Sequence, residues 1–355
     1  MIPFLDLTRR LRFFEADYLD AVSRVMRSGT LLLGSELSSF EAEAAATLVG
    51  GQFIGVSSGA AAIQITLEAL GIGPGDEVIV PAFTAVPTAS AVFATGARPV
   101  PVDVDPQTAL IDLQRIETAI TDRTRAVMPV HLYGRPVDID PIADLGLSVV
   151  EDAAQAAGAV APGDSAPRSS AAVIYSFYPT KNVGGIGDGG AVATTNERLA
   201  ESIRRRRVHG MTEQYVHVDI SQNFRMSEIE AAWLRLQLPH LAEGNRRRAE
   251  IARHYHAAAP DLRWQADHAA HVYHLCVARF TDRDAARTEL AAQGVATAVQ
   301  YPLSIGQQPA FRDLTAEPSP VADLWAAECV SVPCYPELTD AEVETVADAL
   351  ARVRP

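Results

Sequence analysis

The chain is 355 residues long, and its 48% hydrophobic and 21% charged residues are ordinary for a soluble globular protein that is large enough for two domains. Its formal net charge of −14 argues against a nucleic-acid surface, which needs clustered Lys and Arg. The cysteines lack metal-ligand or disulfide spacing, and neither a signal-peptide pattern nor a run of about 18 apolar residues occurs. We therefore expect a cytoplasmic protein without a metal site or a membrane span.

The first 35 residues predict an arm and then a helix over residues 13–27, with apolar residues 31–33 near a subunit interface or a site entrance. A second helix is predicted over residues 36–48. From residue 53, short apolar strands alternate with helices. The predicted strands cover residues 53–56, 77–80, 98–102, 126–130, 148–150, 171–177 and 191–194. The helices between them include residues 86–94, 113–120 and 139–144. This alternation predicts an α/β fold with a mostly parallel central sheet flanked by helices.

Helical patterns dominate after residue 196, at residues 197–207, 227–238 and 242–259. The last of these is long enough to link two domains. Beyond about residue 260 the pattern restarts as strand 272–280, helix 284–293, strand 295–299 and helix 340–352, which predicts a small α+β domain. We therefore predict a large domain over residues 1–241, including the N-terminal arm, and a small C-terminal domain over residues 242–355.

Lys181 is the only lysine in the chain, and all the other residues among the 30 lysines and arginines are arginine. A guanidinium stays protonated, whereas an ε-amine can lose its proton and form an imine with an aldehyde. Lys181 also precedes a glycine-rich loop, residues 184–190, that can turn tightly beside a flat ligand. These features indicate a Schiff-base lysine. The alternative is a surface lysine that persists by chance.

Two other stretches are typical of an anion site. Ser58, Gly59 and Ala60 join a predicted strand to the start of a helix, where free amides and the helix dipole favour a bound anion. Ser176 ends another strand, five residues before Lys181, and is placed to donate a hydrogen bond to a phosphate oxygen. Many strand–helix turns contain Ser-Gly, so neither stretch alone establishes phosphate binding.

Asp152 follows the buried strand 148–150. A carboxylate there would keep a pyridine nitrogen protonated, and the protonated ring would act as an electron sink. The alternative for Asp152 is the N-cap of a following helix. An amine for an aldehyde, a carboxylate for a ring nitrogen and a site for a phosphate together describe one ligand. Pyridoxal 5'-phosphate carries all three groups.

Several longer stretches carry a resemblance to a known family. They are IPFLDL at residues 2–7, GPGDEV at 73–78, PVHLYG at 129–134, EDAAQ at 151–155, SFYPTK at 176–181, NFRMSE at 223–228 and YPELTD at 335–340. In these motifs and their order the chain resembles the DegT/DnrJ/EryC1/StrS family of pyridoxal phosphate-dependent sugar aminotransferases. The resemblance extends over nearly the whole chain, and it implies the fold-type I architecture of the aspartate aminotransferase superfamily.

The resemblance also implies roles for individual residues. Lys181 would form the Schiff base and act as the general acid and base, with Asp152 as the partner of the ring nitrogen. Gln155 would bond the ring 3'-oxygen. Asn223 would reach the cofactor phosphate of a neighbouring subunit, which implies a homodimer with active sites at its interface. The implied phosphate ligands within one subunit are Ser58, Gly59 and Ser176.

The chain departs from the family pattern at positions near the substrate. Many members carry an aromatic residue at Ala85 to stack on the cofactor ring, and Phe83 is the nearest candidate here. Histidine is common where Gln300 and Gly306 stand, and Ala157 also replaces a common histidine. These departures concern the choice of sugar and leave the predicted cofactor residues intact.

The predicted reaction moves an amino group from L-glutamate, or a similar donor, to a keto sugar. The expected acceptor is a nucleotide-linked 3-keto or 4-keto deoxyhexose of amino-sugar or antibiotic biosynthesis, and residues 131–134 resemble members that act at the sugar C3. A keto-cyclitol aminotransferase and a non-catalytic regulatory protein that binds the cofactor are the alternatives. A dehydratase is disfavoured, because related dehydratases carry histidine in place of the lysine. The expected partners are these small molecules, without nucleic acid.

Overall fold

The computed structural model describes residues 1–159, 169–312 and 318–354, which form a seven-stranded sheet, a three-stranded sheet and a two-stranded hairpin surrounded by helices. The strands are β1 (Gln52–Val56), β2 (Glu77–Pro81), β3 (Arg98–Val102), β4 (Thr124–Val127), β5 (Ser148–Asp152), β6 (Ala172–Ser176), β7 (Gly190–Thr194), β8 (Met211–Glu213), β9 (Val216–His217), β10 (Arg263–Trp264), β11 (Cys276–Arg279) and β12 (Cys329–Val332). The helices are α1 (Leu7–Ser28), α2 (Ser35–Ala44), α3 (Gly59–Ala69), α4 (Val86–Ala94), α5 (Leu113–Ala119), α6 (Asp140–Ala143), α7 (Glu197–Arg206), α8 (Glu228–Gln237), α9 (Leu241–Ala258), α10 (Arg283–Ala292), α11 (Pro320–Glu328) and α12 (Asp340–Leu350).

The seven-stranded sheet has the order β1-β7-β6-β5-β4-β2-β3. Only β7 runs against its neighbours, β1 and β6, and every other adjacent pair is parallel. Helices α3, α4 and α7 contribute to one hydrophobic cluster on this sheet, while α1, α2 and α8 contribute to another. A sheet covered on both faces buries apolar side chains along whole strands, as in β2, whose five residues are all buried. The predicted mostly parallel α/β sheet is therefore confirmed.

The boundaries of most predicted elements agree with the structure within a few residues, but two differ. Helix α1 begins at Leu7 rather than at residue 13, because the Asp6 side chain accepts a hydrogen bond from the Thr8 amide at 3.0 Å and caps the first turn. The strand predicted over residues 295–299 is wrong. Val295 pairs only with Ile2, and Ala298 pairs only with Ser331, so no continuous ladder forms.

The smaller sheet has the order β10-β11-β12 and is antiparallel. It shares a hydrophobic cluster with α9, α10 and α12. The N-terminal arm also packs here. The Ile2 amide donates to the Gly294 carbonyl at 2.7 Å, and the Arg9 guanidinium bonds both carboxylate oxygens of Glu342 at 2.7 and 2.6 Å. The domain boundary between residues 241 and 242 stays a prediction.

None of the helices within the described residues combines the length and the hydrophobicity needed to cross a bilayer.

The loop between β6 and β7 contains Lys181. Because these strands are antiparallel neighbours, the chain must reverse direction within this loop. Side chains of helix α8 form hydrogen bonds with the backbone of this loop. The Trp233 indole and the Gln237 amide both donate to the Gly184 carbonyl, at 2.7 and 2.6 Å, and the Gly187 amide donates to the Glu230 carboxylate at 3.0 Å. Side chains distant in sequence therefore fix the backbone on the C-terminal side of the lysine.

Gly190 lies where β7 passes close to the start of α3. A Cβ atom on Gly190 would lie 2.3 Å from both the carbonyl carbon and the carbonyl oxygen of Ser58. Backbone atoms at that distance cannot rotate away as the tip of a side chain can. Only glycine therefore allows this contact without moving the strand or the helix.

We expect Gly190→Ala to lower the free energy of unfolding by about 2 kcal/mol or more, because the added methyl overpacks a backbone contact. Gly244→Ala is the matched control. Its Cβ would lie 3.4 Å from the Pro336 ring, and alanine is favoured over glycine inside a helix by about 1 kcal/mol. Urea unfolding of both variants measures the difference. Equal stability of the two variants would contradict the close approach at Gly190.

The Glu230 carboxyl lies beneath the glycine loop and is 4% exposed. One carboxylate oxygen accepts from Gly187, and the other is enclosed without a hydrogen-bond partner among the described residues. Burial raises the pKa of Glu230 to about 7, and the neighbouring charge of Asp188 adds to the rise. The folded chain therefore keeps a proton on Glu230 at pH values where an unfolded chain has lost it.

This raised pKa predicts that folding stability falls as the pH rises from about 4.5 to 7, because the folded state then binds more protons than the unfolded state. A shift of this size corresponds to roughly 3 kcal/mol. Glu230→Gln keeps a neutral side chain and should remove this part of the pH dependence. Urea unfolding at pH 5 and pH 8 measures it, with the exposed Glu15→Gln as the control. An unchanged pH profile in Glu230→Gln would contradict the buried proton.

Candidate active site

A cavity of about 340 Å³ lies where strand ends meet beside the lysine loop. Asp152 lines it from the end of β5, Ser176 lines it from the end of β6, and Lys181 lines it from the loop that follows. The turn between β1 and α3 adds Ser58, Gly59 and Ala60. Ligands of α/β sheets bind at the carboxyl ends of the strands, and this cavity has that position.

Lys181 is partly buried where its side chain meets the cavity. Burial lowers the pKa of Lys181 to about 8, although the negative charge of Asp152 opposes the change. With a pKa near 8, about a tenth of the amines are neutral at pH 7, compared with well under a thousandth at the ordinary value. The side chain therefore has the free electron pair that an amine nucleophile or a general base needs.

The carboxylate of Asp152 is buried and held in one orientation. The Thr88 hydroxyl donates to Oδ2 at 2.9 Å, and the Ala154 amide donates to Oδ1 at 3.0 Å. The chain after Asp152 forms turns and no regular helix within the described residues, so Asp152 is not a helix N-cap. Its charge instead faces the cavity that Lys181 lines.

The part of the cavity lined by Ser58, Gly59 and Ser176 is suited to an anion. Ser58 caps α3 by accepting a hydrogen bond from the Ala61 amide at 3.1 Å. The first amides of a helix, here those of Gly59 and Ala60, have no acceptor in a preceding turn and point away from the helix end. A Cβ on Gly59 would lie 2.8 Å from the Cβ of Ser176, so glycine brings the two serine-containing segments together.

Gln155 is buried beside Asp152, and both ends of its amide are used. Its carbonyl oxygen accepts from the Tyr133 amide at 2.7 Å, and its nitrogen donates to the Tyr301 hydroxyl at 3.0 Å. No motif in the sequence predicts a role for Thr88 or Tyr301. Nothing in the local pattern identifies Thr88, which lies on α4, 64 residues from its partner Asp152. Tyr301 adjoins Gln300, one of the positions where the chain departs from the family pattern.

Two predicted site residues do not reach this cavity. Phe83 is fully buried, with its ring near those of Tyr133, Tyr301 and Trp325, and Ala85 lines the cavity instead. The side chain of Phe83 therefore belongs to the core, and its stacking on the cofactor ring stays a prediction that this position does not support. Asn223 is exposed and does not line the cavity of its own chain. Its predicted contact with a neighbouring subunit stays a prediction.

The residues present fit pyridoxal 5'-phosphate. The cavity has an amine that is partly neutral, a fixed carboxylate, and a helix start beside two serines, and these features suit the aldehyde, the ring nitrogen and the phosphate of the cofactor. The arrangement is chemically suited to transfer of an amino group.

Comparisons with known proteins agree with this geometry. Residues 14–351 match the DegT/DnrJ/EryC1/StrS aminotransferase family. The chain is 42% identical over 360 residues to dTDP-3-amino-3,4,6-trideoxy-alpha-D-glucose transaminase of Streptomyces venezuelae, covering 98% of this chain and 95% of the relative. It is 43% identical over 349 residues to the erythromycin biosynthesis sensory transduction protein EryC1 of Saccharopolyspora erythraea, covering 95% of each chain.

Solved structures show the same similarity. The crystal structure of S. venezuelae DesV in complex with a ketimine intermediate superposes with a TM-score of 0.94 at 40% identity, covering 99% of this chain and 97% of DesV. That of Bacillus subtilis NtdA with bound cofactor PMP gives a TM-score of 0.91 at 31% identity, covering 98% and 84%. The chain therefore belongs to the DegT/DnrJ/EryC1/StrS aminotransferase family, as a fold-type I aminotransferase that depends on pyridoxal phosphate.

Proposed function

We propose that this enzyme transfers the amino group of L-glutamate to a nucleotide-linked keto-deoxyhexose, at C3 or C4 of the sugar. The observation that carries the proposal is the Lys181 amine, partly neutral and opposite the fixed carboxylate of Asp152 in one cavity. A relative that is 42% identical has a dTDP-3-amino sugar in its name, which supports an acceptor of this class and favours C3.

When bound, the cofactor supplies an aldehyde for the amine and a ring that delocalises the electron pair left at the substrate carbon. Lys181 would hold it covalently and would then move a proton at Nζ, which its lowered pKa allows near neutral pH. Asp152, fixed by Thr88, would keep the ring nitrogen protonated, and Gln155 would bond the ring 3'-oxygen. The residues that would hold the phosphate are Ser58, Gly59, Ala60 and Ser176.

We also propose a homodimer in which Asn223 reaches the cofactor phosphate of the partner. Asn223 is exposed and lies outside the cavity of its own chain, as a residue that acts across an interface would. Leu31, Leu32 and Leu33 are 55%, 44% and 45% exposed, and adjacent exposed apolar side chains are typical of protein–protein contacts. A cytoplasmic location fits the three cysteines, all buried and unpaired, since disulfides are rare in reducing compartments.

Because the chain has a single lysine, the covalent step has a direct test. Borohydride reduction of the holoenzyme should add one cofactor mass at Lys181, as read by mass spectrometry of peptides. Lys181→Arg keeps a positive charge without an amine nucleophile, so it should bind no reducible cofactor and should lose at least about 1,000-fold in turnover. Label on the N-terminal amine alone, or full activity of Lys181→Arg, would refute the assignment.

The half-reactions separate the candidate functions. L-glutamate should convert the aldehyde form of the bound cofactor to its amine form, with loss of visible absorbance, in the absence of any acceptor. A nucleotide-linked 3-keto sugar should then restore the absorbance faster than a 4-keto sugar or a keto-cyclitol. A relative with "sensory transduction" in its name favours a cofactor-binding regulator as the second candidate. A holoprotein that reacts with no amino donor would support the regulator and defeat the aminotransferase.

A further inference from the structure

A second cavity, also of about 340 Å³, adjoins the cofactor cavity. The two cavities share Tyr178, Lys181 and Tyr301 as lining residues. Phe4 of the N-terminal arm and Arg248 of α9 line the second cavity from other directions. A molecule in this cavity would lie against the Lys181 amine. The volume of the cavity is near the lower end of the range of about 300–1,000 Å³ for small-molecule pockets.

Arg248 is the buried cation of this second cavity. Its residue is 2% exposed, and its Nη1 donates to the carbonyl oxygens of Tyr273 and His274, both at 3.4 Å, and of Cys334. Within the described chain no carboxylate lies within 4.0 Å of its guanidinium, and Nε and Nη2 make no hydrogen bond. A buried cation that forms no ion pair is costly, although the more distant Glu337 carboxylate attracts it, so this site favours an anion.

The charges around Arg248 strengthen this preference. No acidic residue appears among the described residues that line the second cavity. The His274 ring is neutral and adds no charge of its own, because burial and the nearby Lys181 and Arg248 cations lower its pKa well below the ordinary value. Burial lowers the pKa of Arg248 to about 10, so its guanidinium stays charged at neutral pH. The nearby Arg10 differs, because Glu337 lies 3.4 Å from its guanidinium.

We infer that Arg248 binds the α-carboxylate of the amino donor, an inference that rests on the proposed transfer from an α-amino acid. The donor must place its α-carbon within reach of the Lys181 amine, and its α-carboxylate is bonded to that same carbon. The anion therefore has to lie close to Lys181, in the cavity that Arg248 lines. The diphosphate of a nucleotide sugar lies several bonds from a keto group at C3 or C4, so it is less suited to this position.

The test compares donors on the holoenzyme. L-isoglutamine lacks the α-carboxylate but keeps the γ-carboxylate. L-glutamine keeps the α-carboxylate but lacks the γ-carboxylate. α-Methyl-L-glutamate has no α-hydrogen and cannot turn over, so its dissociation constant reports binding alone. Arg248→Gln should weaken binding of α-methyl-L-glutamate about 30-fold or more, as expected when one partner of a buried charge pair is removed. The same variant should react with L-isoglutamine as slowly as the unmodified enzyme.

Arg247→Gln is the matched control. It removes the same charge from the next position of α9, where Arg247 contacts the Leu338 carbonyl and Asp340 outside the second cavity. It should leave both donor measurements unchanged. Arg248→Lys keeps the charge and should recover part of the affinity, so it replaces Arg248→Gln as the test variant if the latter does not fold.

Equal losses with L-glutamate and L-isoglutamine would overturn the inference, because Arg248 would then act only through its three carbonyl contacts. A loss confined to the nucleotide-sugar half-reaction would also overturn it, by assigning Arg248 to the diphosphate. Failure of the proposed function is distinguishable. The unmodified holoenzyme would then react with no amino donor, whereas the binding comparison with α-methyl-L-glutamate would still decide the role of Arg248.

Discussion

The partial burial of one amine opposite one buried carboxylate is the interaction on which the rest of the site depends. Desolvation favours the neutral form of Lys181, while Asp152 favours the charged form, and the balance leaves the pKa near 8. A more exposed lysine would stay protonated, and a deeper one without the carboxylate would be mostly neutral at neutral pH. The amine can therefore act in both protonation states.

The antiparallel strand β7 explains why this amine is held so closely. In a parallel arrangement the chain would leave the sheet edge through a long crossover, whereas β6 and β7 force it to return within one loop. That loop is too rich in glycine to be rigid by itself. Helix α8 restrains the backbone of the loop through hydrogen bonds of Glu230, Trp233 and Gln237. The position of Lys181 therefore depends on a helix that lies more than 40 residues later in the chain.

The parts of the site that could be predicted from the sequence are those with a local chemical signature. A lone lysine before a glycine-rich loop, and a carboxylate after a buried strand, both identified residues that line the cavity. Thr88 could not be found in this way, because its contact with Asp152 arises only when α4 packs beside β5. The position of Phe83 could not be predicted for a related reason. Its ring packs in the core near those of Tyr133, Tyr301 and Trp325, which lie 50 or more positions away, and the local pattern does not show these contacts.

The fold shows the same division. Strong periodic patterns identified most elements of the central sheet, whereas β12 and α11 were missed and residues 295–299 were assigned to a strand that does not form. The pairing of such short segments depends on distant partners, as when Val295 contacts Ile2, and single-sequence patterns carry no such information.

That contact between Ile2 and Val295 has a consequence for biosynthesis. The ribosome releases the N-terminal arm first, but the residues that receive it emerge nearly three hundred positions later. The large sheet can assemble during translation, while the arm stays unpaired until residues 294 and 295 have been made. Because Phe4 and Leu5 line the cavity beside Lys181, one wall of that cavity closes only after the C-terminal third of the chain has been made.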